Sequence, residues 1–154
     1  MKKSLLLAAA GVAATLTFGT AIAEEKAHPA VTARVSLMNL YANNLGALGA
    51  MAKGNVEYNA EAASAAANNL ALLVQLDQSA LWPQGTDSES ISGTRALPAL
   101  WANFPDVMAK GKAMADAVTA MQAAAGTDLA SLQGAMGALG GSCSACHKAY
   151  RAPK

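Results

Sequence analysis

Both cysteines of this 154-residue chain, and one of its two histidines, fall in a single pentapeptide, Cys143-Ser144-Ala145-Cys146-His147. The C-x-x-C-H spacing suits attachment of a c-type haem. Two thiols add across the two vinyl groups of the porphyrin to form thioethers, and the adjacent imidazole reaches the iron from one face. On a helix, positions i, i+3 and i+4 share one side, so the three groups point together. Three other uses of the pattern compete with this one. A thioredoxin-like redox pair belongs at a helix N-terminus beside a sheet. A zinc centre made of Cys143, Cys146, His147 and His28 would have its third ligand directly after its second. A plain disulfide would be a lone bridge in a chain with too few cysteines for a disulfide scaffold.

The elements that must position this motif are helical. The chain is 53% apolar and 14% charged. Part of the apolar excess is N-terminal: Lys2 and Lys3, then residues 5–23 without a charge, ending in Ala21-Ile22-Ala23. That order is a secretory leader, expected to be cleaved after Ala23 and to deliver the protein to the periplasm. It leaves residues 24–154 as one domain, with nine basic against ten acidic side chains once Lys2 and Lys3 are removed from 11 and 10. So even a balance excludes a sequence-blind nucleic-acid binder. No second uncharged stretch is long enough to hold the mature chain in a membrane. Residues 24–154 contain 32 alanines but only 12 Val, Ile and Thr together. Alanine favours helices and β-branched residues favour strands, so the domain is expected to be all-α.

Four helices are predicted. The first runs from Pro29 to Lys53, with an inward stripe of Val31, Val35, Met38, Ala42, Leu45, Leu48 and Ala52. The second runs from Asn59 to Leu81, with Ala62, Ala66, Leu70, Leu73 and Val74 inward. A long loop covers residues 82–97. The third starts near Pro98, restarts at Pro105 and ends at Ala125. The fourth is capped by Thr127 and continues through Leu132, Leu139, Cys143, Cys146 and Tyr150. Short connections favour antiparallel neighbours, giving an up-down-up-down four-helix bundle with covalently bound haem c. Gly137, Gly140 and Gly141 suggest close approach of a helix or of the macrocycle.

With His147 on one face of the iron, the other face decides function. A sixth protein ligand favours electron transfer, and an open position favours small gases. The bundle topology brings Met38 and Met108 to the end where the motif lies, with His28 just before the first helix. Arg34 lies one turn before Met38 and is a candidate partner for a haem propionate. Trp101, Phe104 and Tyr150 also lie toward this end.

The segment from Gly140 to Arg151 reads Gly-x-x-Cys-x-x-Cys-His-x-x-Tyr-Arg, and Leu37-Met38 is followed by Leu48-Gly49-Ala50-Met51-Ala52-Lys53-Gly54. In these features the chain resembles the class II c-type cytochromes, the cytochrome c′ superfamily, and most closely their low-spin branch. The resemblance implies axial ligation of the iron by His147 and Met38, and an Arg151 near the haem as a second propionate candidate. It implies a periplasmic one-electron carrier, not an enzyme. Its partners would be periplasmic redox proteins or membrane electron-transfer complexes, with a second copy of the chain as a further candidate. In the high-spin branch, a bulky apolar residue at the position of Met38 shields an open iron. That gives the alternative, a five-coordinate protein binding nitric oxide or carbon monoxide. A thiol–disulfide oxidoreductase is the alternative from another class.

Overall fold

The structure is a computed structural model and describes residues 27–153; the expected leader, residues 1–23, lies outside the described residues. Four long helices carry the fold: α1 Pro29–Ala52, α2 Ala60–Val74, α4 Phe104–Ala124 and α5 Leu129–Tyr150, with the single-turn α3 Ala99–Ala102 leading into α4. Helix α1 packs on α2 and α5, and α4 packs on the same two helices, while the diagonal pairs make no backbone contact. The antiparallel order is marked by bonds between opposite helix ends. Tyr58 Oη donates to the Ala125 carbonyl at 2.9 Å, and Gln133 Nε2 donates to the Ala52 carbonyl at 2.8 Å. The expected up-down-up-down bundle is what the sequence builds. No helix among the described residues is long and apolar enough to cross a membrane.

Alanine does in this core what its abundance promised. Ala63, Ala66, Ala67, Ala71, Ala117 and Ala125 are buried beside Leu48, Leu70, Val118, Met121, Leu132 and Leu139. Small side chains let helices approach closely, so the larger ones can interdigitate at near-crystalline density.

Three local expectations need correction. The second helix ends at Val74, well before Leu81; Asp77 Oδ1 accepts the Ser79 amide at 2.9 Å and starts a separate 3-10 turn, Ser79–Leu81. Asp128, not Thr127, caps α5, its carboxylate accepting the Ser131 amide at 2.7 Å. The buried positions of α1 are Val31, Arg34, Leu37, Tyr41, Asn44, Leu48 and Met51, so most of the predicted stripe is displaced by one residue. A helix wedged between two neighbours has a buried centre line and two half-buried flanks. Val31 and Leu48 of the predicted stripe lie on that centre line, Met38, Leu45 and Ala52 are half-buried beside it, and Val35 and Ala42 are exposed.

The cap carries a pH prediction. Hydrogen bonds from Ser131 hold the Asp128 carboxyl below the usual carboxylate range. A lowered folded-state pKa means that its stabilisation is present above the unfolded pKa and is lost as pH falls through the folded one. Asp128→Asn keeps a capping oxygen, so it is expected to melt like the parent at neutral pH and to show a shallower loss of Tm on acidification. Identical acid limbs for the two proteins would contradict the assignment.

Candidate haem site

Cys143, Cys146 and His147 lie in the last two turns of α5, and all three are half-buried. No disulfide joins the two thiols. Burial pushes the Cys146 thiol up, with the cation of Lys110 opposing and Asp106 adding to the rise. Burial also lowers the His147 imidazole, helped by the charges of Arg151 and Arg95. A neutral imidazole is the form that ligates a metal.

Opposite this turn, α1 presents its apolar flank. A cavity of about 430 Å³ runs along the seam between α1 and α5, lined among others by Ala42, Leu45, Gly49, Lys53, Met136 and Gly140, and it ends one turn before Cys143. Met38 continues the row of Ala42, Leu45 and Gly49 one turn toward His147, because residues three and four apart stack on one side of a helix. It is half-buried and packs against the apolar cluster. The glycines of α5 make no close helix contact: a Cβ at Gly137, Gly140 or Gly141 would meet nothing within 4 Å. Space beside the helix, rather than tight packing, is what they provide. Two thiols i, i+3 apart, an adjacent neutral imidazole, open space beside the turn and an apolar wall opposite fit haem c.

Arg34 is where the structure departs most from expectation. It is 3% exposed. Its Nη1 donates to the Leu81 carbonyl at 3.4 Å and to Thr86 Oγ1 at 2.7 Å. Its Nη2 donates to the Thr86 carbonyl and to Thr94 Oγ1. The guanidinium carbon lies 5.1 Å from the Trp82 ring centroid and 5.9 Å from that of Trp101. Both terminal nitrogens are thus committed to the loop of residues 82–97, and the propionate role expected for Arg34 gives way to that of a loop anchor. Asp87, also buried, turns its carboxylate to the Glu89 and Ser90 amides and lends Arg34 a counter-charge.

The same loop reaches the end of α5. Leu97 donates its amide to the Tyr150 carbonyl at 2.9 Å, and the Ala152 amide donates to the Arg95 carbonyl at 2.8 Å. Ala96 and Arg151 form an antiparallel bridge, and the Arg95 side chain donates to the Ala152 carbonyl. This clasp sets Arg95 beside Arg151, and both cations act on His147.

The other candidates fall as follows. His28 caps α1, its Nδ1 accepting the Ala30 amide at 3.2 Å. No cluster of three or more metal-binding side chains occurs among the described residues, so the zinc alternative is not assembled. Met108 is 59% exposed on α4, and Phe104 is exposed one turn earlier. Trp101 and Tyr150 do lie at the haem end: Trp101 packs edge-on to Trp82, and Tyr150 is buried under α4. Arg95, Asp106 and Lys110 were not singled out from sequence. Only Asp106 and Lys110 left a trace there, an i, i+4 pair of opposite charge.

Residues 29–151 match the sequence model of a family described as Cytochrome C'. The chain belongs to the cytochrome c′ family. It is 46% identical over 121 residues to cytochrome c-554 of Cereibacter sphaeroides, covering 79% of each chain. It is 40% identical to a cytochrome c′ of the same organism, covering 79% of this chain and 81% of that one. A solved cytochrome c′ from Rhodobacter spheriodes superposes with a TM-score of 0.80 at 39% identity, covering 81% of this chain and 96% of that one. As a member of this family the chain carries covalently attached haem c with its iron. The match overturns the low-spin electron-carrier reading. The family is cytochrome c′, and a solved member, a variant from Alcaligenes xylosoxidans, holds carbon monoxide; it is 34% identical, has a TM-score of 0.70, and the match covers 80% of this chain and 94% of that one. A family that admits such a ligand fits the open-iron alternative. Methionine misled because one side chain serves both as a metal ligand and as ordinary apolar filler.

Proposed function

We propose that this protein is an exported, five-coordinate, high-spin haem c protein that takes nitric oxide or carbon monoxide on the iron face opposite His147. Cys143 and Cys146 hold the haem by thioether bonds, and His147 is the protein's axial ligand. Met38 covers the opposite face without ligating. Arg151, exposed four residues beyond His147, would meet a propionate. Haem c supplies, when bound, an iron whose open position takes diatomic gases.

The observation that carries this reading is the flank of α1 opposite the motif. Met38, Ala42, Leu45 and Gly49 offer no hydrogen-bond donor and no charge along that row. Such a row offers no partner to an anion but accepts a small neutral molecule, because an uncharged guest loses little on leaving water. Arg34, the one cation of this part of α1, is turned away into the loop. The leader expected over residues 1–23 supports a periplasmic location, where the protein would meet both dissolved gases and the redox proteins that reduce its iron.

The test is a carbon monoxide titration of the dithionite-reduced protein, followed by absorbance and repeated with nitric oxide. A high-spin ferrous spectrum that converts stoichiometrically on adding the gas is expected. A low-spin ferrous spectrum that carbon monoxide leaves unchanged would overturn the reading.

A further inference from the structure

A compact group of charges stands beside the haem-bearing turn and has no part in the gas reading. Asp106 lies in the first turn of α4. Its Oδ2 accepts the Tyr150 hydroxyl at 2.5 Å and lies 3.4 Å from Lys110 Nζ. Tyr150 is the last residue of α5, three beyond His147, and is only 6% exposed. Asp106 and burial push its phenol up to about 12, so it remains a donor throughout the neutral range. The bond from Tyr150 and the nearby Lys110 hold the Asp106 carboxyl below the usual range, so it remains an anion. Tyr150 stands one turn beyond Cys146 and His147 on α5, so its bond to Asp106 sets the pair of charges at the haem-bearing end of that helix. Their side chains are partly withdrawn from solvent, at 40% and 26% exposure, and partly buried charges are screened less than free surface ones.

We propose that Asp106 is an electrostatic positioning residue for the haem iron: a carboxylate fixed at the end of α5 by Tyr150 that favours the ferric state, with Lys110 acting in the opposite sense. Reduction adds one electron to the iron, and a fixed anion nearby raises the energy of that added charge. A fixed cation lowers it. Tyr150 contributes no charge of its own; it keeps the carboxylate in one place and ties α4 to the end of α5. The inference requires haem c at Cys143 and Cys146 but is indifferent to whether the sixth position is open. Its outcome is thus separable from that of the gas titration.

The experiment is a spectroelectrochemical titration of the haem-loaded protein at pH 7 and low ionic strength, with one-electron mediators. At the ambient potential where the parent is half reduced, Asp106→Asn is expected to raise the ferrous-to-ferric ratio by about threefold or more. Lys110→Gln is expected to lower it, and Lys110→Glu to lower it further. Tyr150→Phe, which keeps both charges, is expected to lower the melting temperature while moving the ratio by less than about twofold. A purely structural role predicts instead that Asp106→Asn and Tyr150→Phe behave alike. Shifts of the same sign for Asp106→Asn and Lys110→Gln, or an unmoved ratio in both, would overturn the proposal. Should Asp106→Asn fail to accumulate with haem, the ordered series Lys110, Gln, Glu decides by itself, and a series without that order refutes it.

Discussion

Arg34→Ala is expected to lower the free energy of unfolding by about 3 kcal/mol, a large share of the stability of a domain this size. The side chain is 3% exposed, and both terminal nitrogens donate to loop acceptors, among them the Leu81 and Thr86 carbonyls and the Thr94 hydroxyl. Removing it leaves buried acceptors without donors, each costing about 1–3 kcal/mol, and takes a cation from beside two indole rings. Arg34→Lys is not expected to restore the loss, because an ammonium cannot present a planar fork to acceptors on two sides. Urea denaturation measures the free energy. Amide exchange locates it: protection at Ser88 and Leu97, whose amides donate to the Ala96 and Tyr150 carbonyls, should fall first. A loss below about 1 kcal/mol would show the anchor to be dispensable.

Met38→Ala is expected to speed carbon monoxide association with the ferrous protein by about tenfold or more. If Met38 covers the open face, entry requires the thioether to swing aside, and removing about 1.4 kcal/mol of that barrier gives a tenfold gain. Met38→Leu conserves volume and apolar character but has no sulfur. Its association rate and its resting spectrum should both match the parent. Stopped-flow mixing with carbon monoxide gives the rates. A parent spectrum that changes coordination number on Met38→Leu would return Met38 to the iron and would falsify its role as a cover.

The haem motif was legible because it is local. Five consecutive residues state their chemistry, and no long-range contact is needed to read them. The bundle was legible because alanine and glycine punctuation act within a turn or two. The role of Arg34 was not, because its partners Thr86 and Thr94 lie 52 and 60 residues away along the chain. An arginine on an inward face near a haem suggests a propionate; that a loop without regular structure would reach it first leaves no local mark. The stripe of α1 was misplaced for a related reason. Periodicity finds a face, but Arg34, Tyr41 and Asn44 occupy the buried centre line while the apolar run of Val35, Met38 and Ala42 lies on its flank. Tyr41 is accommodated there by donating to the Leu73 carbonyl at 2.9 Å, and Asn44 by its bonds to the Leu40 carbonyl and to Asn69. The choice between branches rested on Met38, whose side chain suits either outcome.

The clasp between residues 95–97 and 150–152 bears on the order of events in maturation. It joins segments more than fifty residues apart, immediately beyond the two thiols, and contacts of such long sequence separation close late in folding. Thioether formation needs the final turns of α5 to be reachable by whatever delivers the porphyrin. A clasp that closes late would leave those turns reachable until then. Slow exchange of the Ala152 amide, which donates to the Arg95 carbonyl, would mark its closure.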